Sequence, residues 1–128
     1  MHPILRAFLI LTAAPDALIG LAMIVATDWL ARLLHLPPPA HPLFVQIAGL
    51  MISFLSIAYL IAAANPSRHR AYVFLAASAR YGTAAFLAYA ASRGEVLKPF
   101  TALVAAELIT GSVYLLYAIR LREDRADA

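Results

Sequence analysis

Polar positions are so sparse along most of this chain that its elements are read from the gaps between long apolar runs. Four runs, Leu5–Ala26, Leu43–Ala64, Ala71–Ser92 and Phe100–Ile119, each reach the roughly 20 residues a helix needs to cross a hydrocarbon core. They lack the strict alternation of barrel strands, so they predict α-helices. The second run is free of charge, and Asp16, Arg80 and Glu107 interrupt the other three. Pro3, Pro42, Pro66 and Pro99 fall where a helix starts or its connection turns. The pattern predicts an all-α fold: a single integral membrane domain, built as a four-transmembrane-helix bundle with a short interfacial helix between helices 1 and 2.

That short helix is expected in the connection Thr27–Pro42. Thr27 or Asp28 can cap it, and Trp29, Leu30, Leu33 and Leu34 form one face against Asp28, Arg32 and His35 on the other. Such a helix lies in the membrane interface with Trp29 at headgroup level, and Pro37-Pro38-Pro39 ends it. It is a surface anchor or a lid over a pocket.

Composition agrees with a membrane environment. Hydrophobic residues make up 63% of the chain and charged ones 13%, against about half and a quarter in a soluble domain. The mean hydropathy is +0.80. A net charge of +3, with arginines scattered rather than clustered among aromatics, argues against nucleic-acid binding. The absence of cysteine excludes disulfides, thiol redox chemistry and thiolate metal sites.

The positive residues set an orientation. Arg6, Arg68, Arg70, Arg120, Arg122 and Arg125 fall on one side of a four-span layout, and Arg32, Arg93 and Lys98 on the other. The positive-inside rule then puts both termini in the cytoplasm of a multi-pass protein of the cell inner membrane. The first run continues past the length of a signal-peptide core, so it is expected to be a retained span.

Helical rise converts sequence position to depth. Counted from the cytoplasmic ends, Asp16 lies roughly 18 Å deep, Arg80 roughly 14 Å and Glu107 roughly 20 Å. Each isolated charge at the bilayer centre costs about 2.5–3.5 kcal/mol, so the three are expected to face inward and meet. Arg80 shares its face with Ala76, Ala77, Thr83 and Ala84, small residues that allow close helix approach. Glu107, Thr110, Gly111, Tyr114 and Tyr117 form a polar stripe on the fourth helix. Gln46, Gly49, Ser53 and Ser56 form one on the second, and Thr12, Ala13, Asp16 and Gly20 align on the first. Pro15 frees the Leu11 carbonyl beside Asp16.

A buried Arg–carboxylate network can fix helix register, or it can serve chemistry. Three functional readings follow. In the first, an accessory or binding subunit receives the head group of an apolar lipid-like ligand, a quinone, isoprenoid or sterol-like molecule. Arg80 then holds a carbonyl or anion oriented by Asp16 and Glu107, and Tyr81, Tyr114, Gln46, Ser53, Thr110 and Trp29 complete the binding surface. In the second, Asp16 and Glu107 are acid and base of a cofactor-independent isomerase, cyclase or epoxide hydrolase acting on a lipid, with Arg80, and Tyr81 or Tyr114, assisting. The third is a small proton-coupled transporter. Self-association through the small-residue faces, or membership of a larger membrane complex, is expected with any of them. No cofactor or metal is expected: His2, His35, His41 and His69 lie at helix ends or in loops, and none is placed at depth to hold a haem.

The segments "PDALIGLAMIVATDWLARLLHL" (15–36), "VQIAGLMISFLSIAYLIAAANPSRHR" (45–70) and "ASARYGTAAFLAY" (77–89) carry a family resemblance. An Asp-x3-Gly near the end of the first span, an outer Trp-Leu segment and a Gly-containing second span ending in Asn-Pro are similar to the DoxX-like group of small four-helix membrane proteins. That group includes oxidoreductase-associated subunits and assembly chaperones, so the resemblance implies a fold rather than an activity. Small multidrug transporters also combine four helices with an acidic residue in the first. This chain lacks their Trp- and Gly-containing later segments and has a longer first loop.

Overall fold

The computed structural model describes residues 3–95 and 98–126, without the side chains of 98–100 and 122–126. His2 and the side chains of Lys98, Arg122 and Arg125 therefore lie outside the described residues. The fold is all-α: α1 (Pro3–Val25), α2 (Thr27–Leu33), α3 (Pro42–Ala64), α4 (Arg70–Ser92) and α5 (Lys98–Ala126). The chain divides into two compact units, one of residues 1–64 and one of residues 65–128.

In the first unit α1 and α3 form an antiparallel hairpin around a backbone contact between glycines. A Cβ placed on Gly20 would sit 2.6 Å from Ser53 Oγ and 2.8 Å from the Gly49 carbonyl oxygen. One on Gly49 would meet the Gly20 carbonyl oxygen and Met23 Cβ at 2.6 Å. Only glycine allows two helix backbones this close, the general use of small residues in membrane helix pairs. A turn further on, Gln46 Nε2 donates to the Ile24 carbonyl at 3.3 Å, satisfying a backbone oxygen that the end of α1 leaves without a helical partner. Pro15 sits inside α1 without ending it.

The short helix expected between the first two long ones is present, but neither expected device bounds it. Its N-cap is Ala26, with no capping side chain, and Thr27 Oγ1 turns back to donate to the Met23 carbonyl at 2.7 Å. The helix stops before the prolines. His35 adopts φ 55°, its N–H reaches the Arg32 carbonyl, and the Leu36 N–H reaches the Ala31 carbonyl, a Schellman closure with histidine in glycine's usual position. Gly94 (φ 71°) closes α4 in the same way.

The second unit is the α4–α5 hairpin. Buried positions Gly111, Tyr114, Ala118 and Leu121 on α5 recur at three and four residues, and Val73, Ala77 and Ala84 on α4 stand four and seven apart, the spacing of a seam between two helices. Arg80 occupies a place in that same α4 series. Asn65 Oδ1 accepts the Arg68 N–H, shaping the turn that leads into α4. The backbone of α5 remains helical to Ala126, past the apolar run that ends at Ile119, in keeping with the helix propensity of leucine, arginine and glutamate.

Three helices are long and apolar enough to cross a membrane: Pro3–Val25, Pro42–Ala64 and Thr101–Leu121. Among the described residues α4 does not join them. Its 23 residues have the length, but Arg80-Tyr81-Gly82-Thr83 and its many alanines dilute the apolar character of its centre. Of the four spans expected from the sequence, three are candidates by length and apolar character among the described residues.

Candidate functional site

Within the α4–α5 hairpin, Arg80 Nη1 lies 2.9 Å from Glu107 Oε1 and 3.2 Å from Oε2. Both side chains are only 14% exposed. The sequence builds this pair in a simple way. Gly111 follows Glu107 by one helical turn and presents no side chain, so the stem of Arg80 can lie against α5. A Cβ at Gly111 would stand 3.1 Å from Arg80 Cβ and 3.5 Å from the Ala77 carbonyl oxygen. Glycine opposite the arginine therefore brings the guanidinium to the acid one turn away. Nη1 reaches both carboxylate oxygens.

Beside the pair, Tyr81 Oη and Ser112 Oγ are 2.8 Å apart. Ser112 Oγ also lies 2.7 Å from the Leu108 carbonyl, an acceptor only, so the serine proton goes there and Tyr81 donates to Ser112. Tyr114, fully buried, follows Gly111 along the α5 seam. Thr110 donates to its own helix at Ala106. At the start of α4, Arg70 Nε donates to the Ala118 carbonyl at 2.9 Å, a further polar tie between the two helices.

The remaining sequence-derived candidates lie in the first unit. Asp16 is half-buried on α1. Ser53 donates to the Gly49 carbonyl at the glycine crossing. Gln46 and Trp29 line an open cavity of about 380 Å³ at the loop end of the hairpin. The structure thus brings Arg80 and Glu107 together with Tyr81 nearby, and groups Gln46 with Trp29. Sequence reasoning missed Ser112, the partner of Tyr81, because it falls one residue off the Glu107–Thr110–Tyr114 stripe. It also missed Arg70, read only as a topology signal.

At the far end of α4, Arg93 Nε meets Glu95 Oε1 at 2.7 Å and Arg93 Nη1 meets Tyr89 Oη at 3.3 Å. The Glu95 carboxylate, then the Tyr89 hydroxyl, raise the Arg93 pKa above its usual value. Both charges of that pair are more than half exposed, so the contact is a solvated surface tie. Among the described residues no group of three or more His, Cys, Asp or Glu side chains has the arrangement of a metal site.

Fold and site together define a class: an all-helical protein with three apolar helices of membrane-spanning length and a largely buried Arg–Glu pair between two of its helices. No family model matches the chain, and no curated protein or solved structure matches it.

Proposed function

We propose that the chain is an integral membrane protein that binds an apolar, lipid-like molecule by its head group at the Arg80–Glu107 layer, acting as an accessory or binding subunit. In this reading all four long helices cross the bilayer of the cell inner membrane as a DoxX-like bundle, with both termini in the cytoplasm. The 23 residues of α4 extend about 35 Å, enough for a core of about 30 Å. Its central charge is answered by Glu107, which lowers the cost of burying a helix that hydropathy alone does not select.

One observation carries the reading: a guanidinium and a carboxylate 2.9 Å apart, each 14% exposed, near the middle of long helices. Such a pair adds little net stability over apolar residues of the same size. Ionisable groups within membrane helices are retained chiefly where they serve a ligand, an ion or chemistry. Arg80 would donate to a ring carbonyl or a diphosphate oxygen, Glu107 would accept from a hydroxyl, and Tyr81 would border the head group.

The test is to identify the lipid that accompanies the protein. Solvent extraction of the purified wild-type protein, followed by mass spectrometry, should yield a quinone, isoprenoid or sterol-like species enriched over the bulk membrane. Glu107→Gln should reduce that enrichment. Recovery of bulk lipids alone, in bulk proportions, contradicts the reading.

A further inference from the structure

The loop end of the α1–α3 hairpin carries two cavities on either side of α2, and neither involves the Arg80–Glu107 layer. The first, about 380 Å³, is lined by Thr27, Asp28, Trp29, Arg32 and Gln46 with the end of α1. The second, about 290 Å³, is almost wholly apolar and is lined by Ile19, Met23, Leu30, Ala31, Leu34 and Val45, among others. Thr27 borders both. Each has the volume of a small ligand pocket at the low end of the usual range, so each suits one part of an amphiphile rather than a whole one.

The polar chamber has an unusual charge arrangement. Asp28 and Arg32 stand four residues apart on α2, a spacing that commonly gives a salt bridge along a helix. Among the described residues no ion pair joins them, and both side chains are exposed at the cavity. A ligand that offers a cation to the aspartate and an anion to the arginine satisfies both at once, whereas a purely anionic ligand is repelled by Asp28. Trp29, 54% exposed on the same short helix, has the amphipathic ring that settles at the headgroup level of a bilayer. The apolar chamber across α2 is then open to a hydrocarbon chain.

We propose that the two chambers form one site for a phospholipid whose head group carries both a phosphate and a primary amine. The phosphate meets Arg32, the amine meets Asp28, and one acyl chain enters the apolar chamber. The site lies within the first unit and does not rest on the reading of Arg80 and Glu107.

Trp29 is the only tryptophan in the chain, so its fluorescence reports on this site without added label. The full-length protein is placed in phosphatidylcholine nanodiscs doped with chain-brominated phosphatidylethanolamine, phosphatidylcholine or phosphatidylglycerol at equal mole fraction. Brominated phosphatidylethanolamine should quench Trp29 with about fivefold apparent preference, the ratio given by about 1 kcal/mol. Asp28→Asn should remove its advantage over phosphatidylcholine, and Arg32→Gln should lower quenching by both phosphatidylethanolamine and phosphatidylcholine. Both residues are exposed, so the variants are expected to fold, and an unchanged circular dichroism spectrum confirms it. Equal quenching of the wild type by all three lipids overturns the proposal. So does equal displacement by water-soluble glycerophosphoethanolamine, which would show that the apolar chamber takes no part.

Discussion

Removing one member of the Arg80–Glu107 pair should cost far more than removing both. Glu107→Leu leaves a guanidinium that cannot shed its proton, packed against Gly111 with 14% of its side chain exposed. Losing one partner of a buried pair costs about 3–5 kcal/mol, and a lone arginine at the bilayer centre about 2.5–3.5. The residual exposure and the long stem, which can carry the charge toward water, put the expected cost at about 2–3 kcal/mol. Arg80→Met leaves a carboxyl, which can take up a proton and become neutral, so its cost should be smaller, about 1–2 kcal/mol. The double variant replaces both charges by apolar side chains of similar size and should lie within about 1 kcal/mol of wild type. The coupling energy from the cycle is then about 4 kcal/mol in favour of the pair. Reversible unfolding of the four proteins in bicelles or mixed micelles measures it. Additive costs, with the double variant as unstable as the two single ones summed, would refute the assignment of a coupled buried pair. So would Arg80→Met costing more than Glu107→Leu.

Four further outcomes are expected. Gly49→Ala should destabilise the α1–α3 hairpin by about 1–3 kcal/mol, because its Cβ meets the Gly20 carbonyl and Met23, whereas Gly82→Ala, with open space around it, should be neutral or stabilising by up to about 1 kcal/mol; equal effects in thermal unfolding would discount the glycine crossing. His35→Gly should stabilise the loop end of the first unit by about 1 kcal/mol by relieving a left-handed backbone, read as a higher melting temperature. Tyr81→Phe should cost only about 0.5–1 kcal/mol, since Ser112 keeps its bond to the Leu108 carbonyl. Reporter fusions should place both termini in the cytoplasm; termini on opposite sides would remove α4 from the set of spans.

Much of the fold was legible because long apolar runs and their prolines mark helix extents directly. The Arg80–Glu107 pair was legible for a further reason. Two opposite charges at similar depth in apolar helices have few ways to avoid each other, and Gly111 one turn beyond Glu107 leaves the room they need. The lower apolar character of α4 was less apparent, because its alanines lengthen the run without adding much hydropathy. Local backbone conformation was not legible at all. His35 carries no signal that it takes glycine's place in closing α2, and Thr27, a good capping residue, instead bonds backward to Met23. Gln46 was placed on a polar stripe, yet its partner is a backbone carbonyl on α1, which no side-chain pattern displays. The cavities flanking α2 depend on how a seven-residue helix is tilted between two long ones, a tertiary property that spacing does not encode.

The most direct test of the central claim uses the Arg80→Met/Glu107→Leu double variant, which should fold like wild type. Native mass spectrometry of both proteins, released from identical membranes, reads out bound lipid. A quinone, isoprenoid or sterol-like adduct should appear on the wild type and be absent from the folded double variant. The same adduct retained at the same occupancy by the double variant would contradict the claim that this ion pair holds the head group.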